Sequence, residues 1–151
     1  MGFQVPMIEV AVTVALSGVE PEEHFLYLAP FSDRREGPET VSDYLNGRRR
    51  FFPMLVAGMS KMLNRDQILW VRYERLPDIA DVDDTIIEKR TLIELADATS
   101  IEGVLSIGDR PRESSRVSDV LNDPREEFFR LDDENETYYI NKIFVRSVTP
   151  R

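Results

Sequence analysis

The six residues Val41-Ser42-Asp43-Tyr44-Leu45-Asn46 return as Val117-Ser118-Asp119-Val120-Leu121-Asn122, and a double phenylalanine follows each copy within a few residues. The spacing holds beyond the motif. Val117 lies 76 residues after Val41, Phe128 lies 77 after Phe51, and Asn141 lies 77 after Asn64. Asn64-Arg65 and Asn141-Lys142 each precede an apolar stretch, and Val71-Arg72 is answered by Val145-Arg146 after a contraction of three residues. Matching landmarks in one order at one period indicate two copies of one supersecondary unit.

Local patterns give each unit its elements. Ile8, Val10, Val12, Val14 and Leu16 alternate with Glu9, Ala11, Thr13, Ala15 and Ser17, the period of a half-buried strand. Gly18 to Glu22 makes a turn, and His24 to Ala29 returns as a second strand. After the polar loop 30–38, Thr40 caps a two-turn helix in which Val41, Tyr44 and Leu45 share a face. Asn46-Gly47 ends that helix, since both residues tolerate the left-handed conformation. Phe51 to Val56 forms a third strand, Ala57 to Lys61 a connection, and Ile68 to Glu74 a fourth strand.

The second unit follows the same plan. Strands are expected at 91–95 and 101–107, a polar loop at 108–115, a helix at 117–121, and strands at 128–131 and 138–148. An acidic turn, 132–136, joins the last two. The units thus occupy 1–75 and 91–151, with an acidic ordered connection at 76–90. Four short strands and a two-turn helix bury little surface alone, so the units are expected to pack as one compact domain. The expected fold is mainly β, with two short helices and two similar β-β-α-β-β units. About eight strands would form a barrel-like or sandwich structure with approximate internal two-fold symmetry.

The signature resembles that of small uncharacterised bacterial domains reading Arg-Leu-Ser-Asp-Phe-Leu-Asn. It covers most of each half and is nearest at Arg116 to Asn122 and Asn141-Lys142, while Thr40 departs from the arginine. The resemblance implies a compact β-rich domain, in some members like a very small Sm-like barrel. It implies no catalytic residues.

Composition narrows the function classes. With no cysteine among 151 residues, neither a disulfide nor a thiolate metal site can form. The net charge of −9 is uneven, −1 over 1–75 and −8 over 76–151, and discourages phosphate binding in general. No apolar run reaches the roughly 18 residues of a membrane span. Met1 to Leu16 lacks the basic start and cleavage pattern of a signal peptide, so a cytoplasmic protein is expected.

Few residues suggest chemistry. Asp43 and Asp119 suit helix starts, where a carboxylate accepts backbone N–H groups. His24 stands alone at a strand end and is expected at the surface, without the partners of a general base. Asp132 to Glu136 lacks the spacing of a calcium loop. Arg48, Arg49 and Arg50 beside Phe51-Phe52 form a basic patch with aromatics, the one nucleic-acid feature. No phosphate-binding loop, nucleophile motif or dinucleotide fingerprint occurs, and no cofactor is expected. The expected function is a non-enzymatic protein-interaction or regulatory module whose partner is another protein. The alternatives are a nucleic-acid module using Arg48 to Arg50, or a small-ligand protein with a pocket between the halves.

Overall fold

The alternating stretch after Met7 forms the first strand, β1 (Ile8–Leu16), in a computed structural model that describes residues 7–34, 36–75, 88–107 and 116–151. The first half continues with β2 (Glu22–Leu28), α1 (Val41–Asn46), β3 (Phe51–Val56), β4 (Met59–Asn64) and β5 (Ile68–Glu74). The second holds β6 (Glu88–Leu95), β7 (Ser100–Ser106), α2 (Val117–Leu121), β8 (Phe128–Asp132), β9 (Glu136–Asn141) and β10 (Val145–Pro150). Ten strands among the described residues stand where about eight were expected. The expected loop at 108–115 and residues 76–87 of the expected connection lie outside the described residues. Glu88 to Arg90 belong to β6 rather than to that connection.

Two local devices account for the extra strands. Ala57 (φ 49°) and Gly58 (φ 77°) form a two-residue left-handed turn, the kind whose twist suits a tight hairpin. The expected connection at 57–61 therefore reverses the chain at once, and Met59 to Asn64 pair back on β3. The second device is the repeated asparagine. Asn64 Oδ1 accepts the N–H of Asp66 at 3.1 Å, and Asn141 Oδ1 accepts that of Ile143 at 3.3 Å. Each caps one 3-10 turn, Arg65–Gln67 or Lys142–Phe144, so the expected strand 138–148 is broken into β9 and β10. β10 begins four residues after Asn141, as β5 begins four after Asn64. Val145 thus answers Ile68, and the expected three-residue contraction is not needed.

The basic residue after each asparagine seals a helix end. Arg65 donates to Leu45 O at 3.2 Å and to Gly47 O, and Lys142 Nζ donates to Val120 O at 2.8 Å and Asp123 O at 2.9 Å. Gly47 itself has φ −74°, so the first helix ends without the expected left-handed residue. At the other end Thr40 and Asp43 form a complete capping box, with both bonds near 3 Å. Arginine has no acceptor, so Arg116 supplies half a box: its N–H donates to Asp119 Oδ2 at 3.0 Å.

All neighbouring strands are antiparallel, in the order β10-β6-β7-β8-β9-β5-β1-β2-β3-β4. Both halves show one strand order: last, first, second, third, fourth. The sheet is open rather than closed into a barrel, with β4 and β10 as its outer edges among the described strands. The halves join where β9 pairs with β5, from Trp70 opposite Ile140 to Glu74 opposite Glu136. A two-fold axis would place like strands side by side. β9 and β5 are unlike, so the halves follow one another head to tail and the expected two-fold relation does not describe the junction.

The two apolar clusters interlock across this junction. Phe128 and Tyr139 join the cluster built on Val12, Leu26, Leu45, Phe52 and Val71. Ala15, Leu69 and Trp70 join the cluster built on Ile93, Leu95, Leu105, Phe129 and Ile140. Asn46 locks the crossing: its Nδ2 donates to Phe128 O at 3.0 Å, and its Oδ1 accepts the Phe128 N–H at 2.8 Å. Asn141 Nδ2 answers by donating to Arg65 O at 3.1 Å and Ile68 O at 3.0 Å. Asn46→Ala strands a buried peptide unit and should cost about 2–3 kcal/mol in urea unfolding. Asn122→Ala, at the exposed counterpart, should stay within about 0.5 kcal/mol. Equal losses at the two sites would refute the clamp.

Candidate functional site

Arg48, Arg49 and Arg50 lie exposed between α1 and β3. Arg49 stands over the Tyr44 ring, 4.8 Å from its centre, and Arg50 pairs with Asp66. The cluster lies next to Phe51, which is 48% exposed, while Phe52 points into the core. The basic–aromatic adjacency seen in the sequence therefore survives with one phenylalanine of the two.

His24 departs from its expected place. It is fully buried in β2 opposite Val12, with Nδ1 3.0 Å from Glu22 O and Nε2 buried without a hydrogen-bond partner. β2 starts at Glu22, so His24 lies within the strand rather than at its end, and its register opposite buried Val12 turns the imidazole inward. Asp43 and Asp119 cap their helices, as their positions suggested. In the acidic turn, Asp133 Oδ1 accepts the N–H groups of Asn135 and Glu136, so the carboxylate organises the hairpin. Among the described residues no three acidic or histidine side chains converge as a metal site would require.

The densest polar cluster lies at the junction. Asp132 is nearly buried, and it accepts from Thr137 Oγ1 at 2.7 Å and from Arg130 Nε at 3.1 and 3.2 Å. Arg75 of the first half pairs with Asp132 and donates to the carbonyls of Asp133 and Glu134. Arg72 lies over Trp70 and Tyr138 and pairs with Glu136. These charges are spent on each other and on the β5–β9 crossing. A recess of about 180 Å³ nearby is lined by Ser42, Ser106, Val120, Glu126, Phe128, Arg130 and Tyr139. It lies between the halves where a ligand pocket was expected, but is smaller than the roughly 300–1,000 Å³ of drug-sized ligand sites.

The residues that sequence reasoning missed are those of the outer strand. Met59 and Met62 of β4 are 72% and 61% exposed. Their counterparts 77 residues on are Glu136 and Tyr139, and Tyr139 is 6% exposed because β5 covers β9. Phe51 at 48% and its counterpart Phe128 at 1% show the same contrast. Comparing the repeated positions by chemistry is the signal that finds them. No protein-family model, curated protein or solved structure matches the chain.

Burial is the main cause holding the phenols of Tyr44, Tyr73 and Tyr139 above their ordinary value of 10.0. The Tyr73 and Tyr139 rings stack across the junction, 6.2 Å apart. The folded state thus keeps these protons after the unfolded chain has lost them. The stability they contribute is full below about pH 10 and declines as pH rises beyond it. Thermal unfolding followed with tyrosinate absorbance should show the melting temperature falling above pH 10, with Tyr44, Tyr73 and Tyr139 ionising at higher pH in the folded chain than in the unfolded one. Ionisation of Tyr44, Tyr73 and Tyr139 at their ordinary value before unfolding would contradict this burial.

Proposed function

We propose that this chain is a non-enzymatic, cytoplasmic protein-interaction module made of two copies of one β-rich unit. Common ancestry of the halves is supported by the repeated motif and by their shared strand order. The interaction reading is carried by one observation. β4 presents an unpaired backbone edge among the described strands and flanks it with exposed Met59, Met62 and Phe51. The β9–β5 pairing supports this reading as a precedent within the chain, an antiparallel strand whose side chains cover the corresponding positions of β9. The polar groups of the interior support the same reading, since the carboxylates and arginines described above hold caps, turns and the junction. No described helix is long and apolar enough to cross a membrane.

A second reading has one observation in its favour: Arg48 to Arg50 are exposed beside the exposed Phe51 ring. One experiment separates the two. Tagged protein and its Met62→Glu variant are used to capture material from native extract, with and without nuclease. The interaction reading predicts a discrete protein that survives nuclease and is lost with Met62→Glu. Capture that Met62→Glu leaves unchanged contradicts edge pairing, and nuclease-sensitive capture moves the function to the arginine cluster.

A further inference from the structure

We infer that the strand which completes β4 is β10 of a second copy of this chain, so that molecules join head to tail through the contact that already joins their halves. This rests on the edge-pairing reading and names its partner. Among the described strands the sheet ends in β4 on one side and β10 on the other, the fourth strand of one half and the last strand of the other. Those are the two kinds of strand that meet inside the chain as β9 and β5.

The internal junction supplies the register. It sets Trp70 opposite Ile140 and Val71 opposite Tyr139. Moving each residue by the 77-residue period sets Ser147 opposite Leu63 and Val148 opposite Met62. The tight turn pairs Val56 with Met59, and ladder alternation then points the Ser60 and Met62 amides outward. Asn122 is exposed at the end of α2, and by the same shift it faces the main chain of Phe51 as Asn46 faces Phe128. Asn64 likewise faces Lys142 O and Val145 O, as Asn141 faces Arg65 O and Ile68 O.

Charge at the edge tempers the docking. The head carries exposed Arg48, Arg49, Arg50 and Lys61. Although residues 76–151 carry −8 in total, residues 142–151 carry Lys142, Arg146 and Arg151 and no acid. Three differences make the contact weaker than the internal one. Ser147 stands in the place of Trp70, Pro150 removes a donor in the place of Tyr73, and Lys142 comes opposite Arg50 where Arg65 meets Glu127. Assembly is therefore reversible and concentration-dependent, closing into a ring if the rotation per step allows and growing as a chain if not.

The test uses purified full-length chains and light scattering after size separation. Met62→Glu blocks the head. Asn122→Arg blocks the tail by facing the neighbour's arginines. Wild type should rise above 17.5 kDa with concentration, and each variant alone should stay at the single-chain mass. Their equimolar mixture should reach twice that mass and no more, since one head and one tail remain open. Phe51→Glu, at a second exposed head position, should behave as Met62→Glu. Wild type that stays monomeric at every concentration overturns the inference, as does a single variant that still assembles or a mixture that stays monomeric. Monomeric wild type together with a captured protein lost on Met62→Glu leaves the edge-pairing function standing and removes only the second copy.

Discussion

Everything in this fold depends on the pairing of β5 with β9. Neither apolar cluster is complete within its own half: one needs Phe128 and Tyr139, the other needs Leu69 and Trp70. Full burial of each such side chain contributes about 1.5–3 kcal/mol, so the four together are comparable to the whole net stability of a unit of this size. The hydrogen bonds follow the same logic. Asn46 and Asn141 each reach across the junction to main-chain groups of the other half. Separated halves would expose aromatic surface and strand peptide groups together.

The repeated polar residues are thereby accounted for as structure. Asp43 and Asp119 start helices, Asn64 and Asn141 start 3-10 turns, and Arg65 and Lys142 seal helix ends. A unit with short helices and tight reversals needs these groups wherever it occurs, whatever its function. Function is better sought where the halves differ. The sharpest difference is that β5 covers β9 while no described strand covers β4, which exposes Met62 where the other half buries Tyr139.

Much of this was legible in the sequence for local reasons. Strict alternation identifies β1, and the Thr40–Asp43 spacing identifies the capping box. β4 was illegible because an edge strand exposed on both faces shows no alternation, and its turn is an Ala-Gly pair rather than Asn-Gly. β9 and β10 read as one strand because the 3-10 turn between them is itself apolar at Ile143 and Phe144. The burial of His24 depends on register, which a stretch reading His-Phe-Leu-Tyr-Leu leaves open. Which strands meet at the junction is a long-range choice between partners of equal local propensity. Local patterns carry no information about it.

Amide hydrogen exchange measured residue by residue tests the central claim most directly. If the β5–β9 pairing holds both cores together, the amides of Val71 and Tyr139 exchange only through global unfolding, with the same free energy as those of Leu26 and Leu105. If Val71 and Tyr139 exchange at a lower free energy while Leu26 and Leu105 keep their protection, the halves open as independent bodies. The junction would then be an accessory contact rather than the basis of the fold.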